Sequence, residues 1–367
     1  MQALQWSVFL LASYLSKVRS IITSTLSDAQ IHIDCAALVN PIKEKRSTCA
    51  RKSADEVDIC VYFASDYHFV VPFLIHHLSI GFSRIWIYNN DEKVAWYNHP
   101  AVLCLVAENW VDIHPWYGEL NLHKSFDNCF HQKIPSRSSQ KNLTNVWGAV
   151  FDIDELLVLH KGEHCINKFV EGRKTPALAL NWAFFTPELP LTNFARTGNL
   201  KHLASSVSTT AGPFQILPHE LLTRRMFENS HIKTISRVSC VDRWVHDHAP
   251  NFKSGCPFGH KLLDPEGHYF KSGPWTPWVD NKYPNAQLNH YWTLSLFDFL
   301  RKIHRGKGGN YPKYSDQSRS TGEFHNHGIV RMGFVNDTSF LDYYGAFFEK
   351  LKKECPRCFD NSLYFAT

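Results

Sequence analysis

Val57-Asp-Ile-Cys-Val-Tyr-Phe63 is a short apolar run rich in β-forming residues, and it opens the stretch of the chain that decides the fold. Residues 69–80 repeat apolar side chains at helical spacing, with Pro72 near the start and Gly81 after the end. A second apolar run of strand type follows, Arg84-Ile-Trp-Ile-Tyr88, and a turn cluster closes it. Strand, helix and strand in this order predict a βαβ unit with parallel strands.

The rest of the first half continues this alternation. Further strands are predicted at 101–106, 110–114, 146–159 and 177–185, with helices at 122–131 and 164–172. Residues 186–290 are rich in Pro, Gly, His and Trp, and the segments predicted from there on are a strand at 234–239 and helices at 293–303 and 338–352. The pattern predicts one α/β domain, in which helices flank an open parallel or mixed sheet and a loop-rich half follows.

Composition excludes several classes of protein. The chain has 367 residues, of which 44% are hydrophobic and 20% charged, so it is neither disordered nor collagen-like. The net charge of +5 and the absence of a basic run argue against nucleic-acid binding. The 51 aromatic residues (11 Trp, 14 Tyr and 26 Phe) and 21 His suit a carbohydrate or nucleotide site, among others.

Three regions are expected along the chain. Residues 1–56 form an N-terminal segment, in which the polar part from residue 16 onward is interpreted as a stem or linker outside the core. Its apolar start, residues 3–15, is shorter than the roughly 20 residues of a membrane-spanning helix. We interpret this start as a weak signal anchor, a shortened one or a surface helix. A catalytic domain at 57–310 and a helical extension at 311–367 complete the prediction.

The ten cysteines permit disulfides but do not require them. Cys60 and Cys104 lie in apolar runs, where a reduced core cysteine is the expectation. Cys355-Pro-Arg-Cys358 has no second CxxC to complete a zinc site, so a local disulfide or two free thiols is expected. Two glycosylation sequons, Asn142-Leu-Thr and Asn336-Asp-Thr, give slight support to a secretory location.

The strongest chemical signal is Asp152-Ile-Asp-Glu155, between apolar residues on both sides. In an extended strand, Asp152 and Asp154 would point to the same face. Two neighbouring carboxylates repel each other unless a cation lies between them. A divalent ion resolves this repulsion, and oxygen ligands favour Mg²⁺ or Mn²⁺ bound together with substrate phosphates. The motif therefore predicts a metal–diphosphate site.

Four blocks of the sequence, which follow one another in the family's order along the chain, resemble glycosyltransferase family 92 and related family 2-like glycosyltransferases. The acidic motif is similar to the family's Asp-X-Asp-Glu-Phe-Leu, and residues 69–91 resemble its opening helix and second strand. The middle block is Lys233-Thr-Ile-Ser-Arg-Val238, and the closing block begins Asn289-His-Tyr-Trp. The resemblance spans about residues 57–306. It implies a GT-A-type, Rossmann-like mixed sheet and an inverting, metal-dependent transfer of a hexose, often galactose from UDP-galactose, in an enzyme usually anchored in the Golgi membrane.

The chain departs from the family pattern at three places near the donor site. Ala64-Ser-Asp66 stands where the family has Asn-Glu, Pro72-Phe73 replaces Glu-Trp, and Tyr88-Asn-Asn90 replaces Tyr-Asp-Asn. The base and the sugar of the donor therefore stay open.

Site roles follow from the motifs and the resemblance. We expect Asp152, Asp154 and His290 to bind Mn²⁺ (or Mg²⁺). The general base, which must accept the acceptor hydroxyl's proton, is one of Glu188, Asp242 and Asp247. The residues predicted to bind the donor are Asp66, Asn89, Asp91, Asp152, Lys302 and Arg305. Those predicted to stack on acceptor sugars are Trp182, Trp244 and Trp275.

The leading hypothesis is thus a metal-dependent glycosyltransferase that uses a nucleotide-sugar donor and a glycan or glycoconjugate acceptor. It would be associated with a Golgi or other secretory membrane through its N-terminus; the alternative location is the cytoplasm. A glycan-binding or scaffold protein on a glycosyltransferase fold that has lost donor binding is the main alternative. A metal-dependent phosphotransferase would share the Asp pair but use a nucleoside triphosphate.

Overall fold

The computed structural model of the chain describes residues 34–50, 55–64, 67–91, 95–117, 122–143, 145–161, 164–186, 221–223, 230–276, 285–291, 334–336 and 339–360. The predicted helix at 293–303 and the apolar start of the chain lie outside these residues. Among the described residues, no helix is both long enough and apolar enough to cross a bilayer.

The described helices are α1 (Cys35–Ala50), α2 (Val70–Ser79), α3 (Pro100–Ala107), α4 (Leu122–Asn128), α5 (Ile134–Gln140), α6 (Ile166–Val170) and α7 (Ala346–Glu354). The strands of the first half are β1 (Glu56–Phe63), β2 (Arg84–Asn89), β3 (Val111–Pro115), β4 (Val146–Val150), β5 (Glu155–Leu159) and β6 (Ala177–Thr186). The later strands are β7 (Leu221–Thr223), β8 (Ile232–Arg237), β9 (Val241–Trp244), β10 (Pro250–Phe252), β11 (Lys261–Leu263), β12 (Tyr269–Lys271), β13 (Ala286–His290) and β14 (Phe334–Asn336).

The predicted α/β class and mixed sheet are confirmed. The main sheet has the order β12-β11-β6-β8-β4-β1-β2-β3. Strands β4, β1, β2 and β3 are parallel, and β8 runs antiparallel between β4 and β6. The C-terminal part of β6 pairs in parallel with β13, and β13 pairs antiparallel with β5. The carboxyl ends of the parallel strands therefore meet at one edge of the sheet, where α/β proteins bind their ligands.

Both faces of the sheet are covered, as the alternation in β1 requires. Val57, Ile59 and Val61 belong to the main core, which includes side chains from α1, α2, α3, α6 and α7. Cys60 points to the opposite face, into a second core with side chains of α4, α5 and the π-helical turn that joins them. Period-two side chains thus fill two layers from one strand.

Helix α2 follows the predicted boundaries closely. It ends at Ser79, and Gly81 adopts a φ of +101°, a conformation that favours glycine. A Cβ at Gly81 would also lie 2.7 Å from the Asn167 side chain and 2.9 Å from Cβ of Cys49. The glycine is therefore required both by the turn and by the close packing of α1 and α6 around it.

Two histidines of α2 complete the hydrogen bonding of strand β5. The Leu157 N–H donates to Nε2 of His77 at 3.4 Å, and Nε2 of His76 donates to the Leu157 carbonyl at 2.7 Å. Two residues further along β5, the Leu159 N–H donates to the hydroxyl of Tyr344 at 3.2 Å. Side chains thus replace a neighbouring strand along this edge, so His76 and His77 are structural and neutral.

The prediction of a strand at 101–106 is wrong, because this run forms α3. Pro100 occupies the first turn, and the Ala101 N–H donates to Nδ1 of His99 at 3.2 Å. Proline at the first helical position and a capping side chain are ordinary helix-start signals. Histidine is not among the usual capping residues, and a uniformly apolar run does not by itself distinguish a helix from a strand.

The interpretation of residues 16–56 as a stem or linker outside the core is wrong for 35–50. Helix α1 buries Leu38, Val39 and Ile42 in the main core. Disulfides fix both of its ends, Cys35 to Cys104 in α3 and Cys49 to Cys165 before α6. The predicted C-terminal helix is confirmed in α7 and the π-helical turn before it, and its Phe348 and Leu351 pack into the same core.

All ten cysteines are paired, which corrects the expectation of reduced thiols at Cys60 and Cys104. The other bonds are Cys60–Cys129, Cys240–Cys256 and the local Cys355–Cys358. Cys60 and Cys104 are each 69 positions from their partners, so only the folded topology brings these partners together.

Candidate functional site

The acidic motif forms a turn between two strands, not part of one continuous strand as predicted. Strand β4 ends at Val150 and β5 begins at Glu155. The Asp152 N–H donates to Oε2 of Glu155 at 2.8 Å, and the Glu155 N–H donates to the Asp152 carbonyl at 3.1 Å. These reciprocal bonds close the turn at the carboxyl edge of the sheet. Glu155 is fully buried and serves the turn, so it is not available as a base.

Asp154 and His290, two of the three predicted metal ligands, lie side by side. Nε2 of His290 is 3.8 Å from Oδ1 of Asp154. Their adjacency follows from the antiparallel pairing of β13 with β5, which places His290 opposite Glu155. The Tyr291 N–H donates to the Asp154 carbonyl at 3.0 Å and fixes the backbone at this point. Only 8% of the Asp154 side chain and 4% of the His290 side chain are exposed.

Asp152 faces a cation that the sequence reasoning did not assign. Nζ of Lys233 lies 2.9 Å from Oδ2 of Asp152 and 3.9 Å from Oε1 of Glu155. The Lys233 side chain is fully buried, whereas 37% of the Asp152 side chain is exposed. The available signal was a lysine inside the apolar strand β8, where a charge needs a partner.

The charges of this cluster are strongly coupled. Burial opposes the charge of Lys233, but Asp152 and Glu155 outweigh it and raise the pKa of the lysine. Burial raises the pKa of Glu155 well above its usual range, although Lys233 opposes this. Partial burial also raises the pKa of Asp152, again against the effect of Lys233. One ammonium group therefore neutralises the turn while the acids remain close together.

The predicted metal set is only partly assembled. Among the described residues, no group of three or more His, Cys, Asp or Glu side chains is arranged to hold a metal ion. Asp152 is turned toward Lys233, so Asp154 and His290 are the two predicted donors that lie together. The carboxylate of Asp154 suits Mn²⁺ or Mg²⁺, whereas an imidazole suits these ions less well, so phosphate oxygens and water would supply most of the remaining ligands.

An aromatic cluster extends from His290 toward the surface. The ring of Trp182 is 4.2 Å from that of His290 and 4.9 Å from that of His231, centroid to centroid. The indole N–H of Trp275 donates to Nε2 of His231 at 2.9 Å. Trp182 is partly buried between its neighbours, whereas 47% of Trp275 is exposed. Trp275 thus presents an oriented indole at the surface end of this cluster, and the rings of His231 and Trp182 connect it to His290.

Trp244 lies elsewhere. It is buried in the second core, and its ring packs 5.5 Å from that of Phe126 and 5.3 Å from that of Phe130. The structure therefore gives it a packing role, contrary to the predicted stacking on an acceptor sugar. The sequence pattern does not predict the burial of Trp244, because this residue directly follows two exposed residues, Asp242 and Arg243.

Of the predicted bases, Asp247 lies next to the cluster. Its Oδ1 is 3.4 Å from Nε2 of His248, and 41% of its side chain is exposed. Burial lowers the pKa of His248 to about 4, so this imidazole is neutral at neutral pH. Burial would raise the pKa of Asp247, but the nearby His248 and Lys233 outweigh this effect and hold the pKa well below its usual range. Because His248 is neutral at neutral pH, the lasting positive charge is that of Lys233. Asp247 is therefore ionised, and Asp242 lies on the exposed side of β9.

The predicted donor residues Asn89 and Asp91 lie at the same sheet edge, at the end of β2. Oδ1 of Asn89 accepts from the Asp91 N–H at 3.0 Å and from the indole of Trp96 at 3.0 Å, so this buried side chain holds the turn. Tyr67 donates to the Asp91 carboxylate. Four predicted site residues lie outside the described residues: Asp66, Glu188, Lys302 and Arg305.

Comparison of the chain with models of protein families gave no match. Comparison with curated proteins likewise gave no match.

Proposed function

We propose that this protein is a metal-dependent glycosyltransferase with a GT-A-type fold. It would move a hexose, galactose in our first choice, from a UDP-sugar to a glycan hydroxyl with inversion. The observation that carries the proposal is the acidic turn at the carboxyl edge of the sheet, where Asp154 meets His290 at 3.8 Å and an aromatic cluster leads from His290 to the exposed Trp275. Carboxylate and imidazole donors next to an aromatic sugar platform suit a diphosphate-linked sugar better than they suit a simple nucleotide.

Mn²⁺ or Mg²⁺ held by Asp154 and His290 would neutralise charge on the leaving diphosphate. Lys233 opposes the rise that burial causes in the pKa of Asp152, and it orients the carboxylate through their 2.9 Å contact. The exposed part of Asp152 can then accept hydrogen bonds from donor hydroxyls. Asp247, ionised and partly exposed, accepts the proton of the acceptor hydroxyl as that hydroxyl attacks the sugar.

We further propose that the enzyme works in the Golgi or another secretory compartment. The five disulfides support this location, because such bonds are rare in proteins of the cytosol. They make the cytoplasmic alternative less favourable.

The second candidate is a glycan-binding protein without transferase activity. The observation in its favour is Lys233, which already neutralises Asp152 from within the protein. A site that needs no added cation could keep its shape without a donor. The exposed Trp275 would serve such a protein equally well.

A screen of nucleotide-sugars by thermal shift, with and without Mn²⁺, separates the two candidates. A ligand at 100 times its Kd stabilises a fold by about 2.7 kcal/mol, which gives a measurable shift in Tm. The transferase predicts a Mn²⁺-dependent shift with one UDP-sugar in particular. Absence of any shift with every nucleotide-sugar, together with a shift by a free glycan, would favour the binding protein.

A further inference from the structure

The end of helix α5 places one asparagine in an unusual backbone conformation. Asn142 has a φ of +55°, in the left-handed region. The Asn142 N–H donates to the Ser139 carbonyl at 3.3 Å, and the Leu143 N–H donates to the Ser138 carbonyl at 2.9 Å. This is the paired bonding of a Schellman motif, in which glycine or asparagine occupies the left-handed position. The turn is therefore well ordered by its own hydrogen bonds.

The same asparagine is the first residue of the sequon Asn142-Leu-Thr144. Its side chain is exposed, and Gln140 and Lys141 before it are exposed as well. An enzyme that modifies the amide nitrogen must reach the asparagine on an accessible turn, and the end of α5 provides one. The sequon meets the sequence requirement, because the middle residue is not proline.

The disulfides supply the second requirement, which is a compartment where such modification occurs. Three of the five bonds join residues more than sixty positions apart, among them Cys49–Cys165 at a separation of 116. Two of them join helix α1 to α3 and to the residue before α6, and the third joins β1 to the π-helical turn after α4. Proteins with bonds of this kind are oxidised in the secretory pathway or outside the cell. The compartment follows from the disulfides alone, independently of the acidic turn and of the proposed transferase activity.

The position of Asn142 leaves the candidate site open. Strand β4 begins at Val146, a few residues after Asn142, and its opposite end leads to the acidic turn. Asn142 therefore lies at the amino end of the parallel strands, and Asp154 lies at their opposite, carboxyl end. A large substituent at this point would not cover Trp275 or Asp247.

We propose that Asn142 carries an N-linked oligosaccharide. The donor class is an oligosaccharide linked to a polyisoprenyl diphosphate, and a separate transferase of the secretory pathway performs the step. A bond forms between Nδ2 of Asn142 and the anomeric carbon of the oligosaccharide. The bond between that carbon and the diphosphate oxygen breaks, the lipid diphosphate leaves with the electron pair, and the amide loses one proton.

The test uses the full chain made in a eukaryotic host, followed by peptide-N-glycosidase in water enriched in oxygen-18. The proposal predicts conversion of Asn142 to a labelled aspartate in molecules that contain the Cys35–Cys104 bond. An unlabelled Asn142 in those molecules would overturn it. A chain that forms no disulfides and carries no glycan would overturn it too.

Three variants separate the glycan from the helix-ending role of the asparagine. Asn142→Gly keeps a residue suited to positive φ and removes the amide, so it should fold normally and lose the glycan. Thr144→Ala keeps Asn142 and breaks the sequon, and it should lose the glycan as well. Asn336→Gln is the matched control at the second sequon, and it should retain the label at Asn142. Retention of the glycan in Thr144→Ala would contradict the assignment.

Discussion

Nε2 of His290 lies 3.8 Å from Oδ1 of Asp154, although the two residues are far apart along the chain. The cause is the register of β13 on β5, which sets His290 opposite Glu155 at the start of that strand. The turn between β4 and β5 supplies the carboxylate, and the end of β13 supplies the imidazole. This pair is the centre of the proposed metal site.

His290→Ala should raise the Mn²⁺ concentration needed for half-maximal turnover by at least about tenfold, an effect that even the loss of an outer-shell partner can produce. The measurement is transferase activity against Mn²⁺ concentration at saturating donor. His248→Ala is the matched control, since it removes an imidazole of the same aromatic cluster but leaves the Asp154–His290 pair. A His290→Ala variant with the wild-type Mn²⁺ requirement would exclude His290 as a ligand.

Lys233→Met should lower the free energy of unfolding by about 3 kcal/mol, because it leaves the neighbouring acids Asp152 and Glu155 without a cation, and Glu155 is buried. Chemical denaturation measures this loss. Adding Glu155→Gln should recover part of it by removing the buried acid. Lys168→Met, which breaks the exposed pair with Glu171, should change stability by less than about 1 kcal/mol. Equal effects of the two lysine substitutions would contradict the proposed role of Lys233.

Much of the fold could be predicted from local patterns, because β1, α2 and β2 carry clear periodicity and turn residues. The run at 101–106 is apolar throughout, so its pattern does not distinguish a strand from a helix. The partner of Asp152 depends on where β8 lies in the sheet, and no local pattern contains this information. The same holds for Cys60 and Cys104, whose partners only the folded topology brings near. Trp244 and Trp275 look alike in sequence, and only their packing separates core from surface.

Trp275→Ala should raise the KM for the acceptor by about threefold to tenfold, as expected for the loss of one stacking contact. The KM for the donor and the Tm should stay near the wild-type values, because Trp275 is 47% exposed. Steady-state kinetics with each substrate varied in turn makes this measurement. Trp244→Ala is the contrasting variant, with an expected destabilisation of about 3–5 kcal/mol from the buried cavity. An unchanged acceptor KM in Trp275→Ala would remove this residue from the acceptor site.

His76→Gln should make stability less sensitive to acid. Burial lowers the pKa of His76 from 6.5 to about 3. Between these values the unfolded chain binds a proton that the folded chain does not, so stability falls as the pH falls. Each such group contributes about 1.4 kcal/mol per pH unit. Glutamine does not titrate and can still donate to the Leu157 carbonyl.

The measurement for His76 is the difference in unfolding free energy between wild type and His76→Gln across this pH range. Other titrating groups, such as the buried Asp58, act in both proteins and cancel. The difference should shrink steadily as the pH falls from about 6.5, the unperturbed value for histidine. Parallel curves would show that His76 is charged in the folded protein.

The Cys35→Ser/Cys104→Ser double variant should lose about 4 kcal/mol of stability, as loop-closure entropy predicts for a bond spanning 69 positions. Cys355→Ser/Cys358→Ser opens a bond spanning only 3 positions and should lose about 2 kcal/mol. Denaturation of both variants, each with its other disulfides intact, gives the comparison. A larger loss for the local bond would contradict the role of α1 as a cross-linked part of the core.

The role of Asp154 in a metal-dependent transferase is tested most directly by turnover of UDP-galactose and other UDP-sugars by the wild type and by Asp154→Ala, each with and without Mn²⁺. We expect sugar transfer to a glycan acceptor by the wild type with Mn²⁺, and loss of transfer in Asp154→Ala, whose unfolding curve should show that the fold is retained. Undiminished transfer by Asp154→Ala, or transfer by the wild type that is indifferent to metal, would contradict the proposed function.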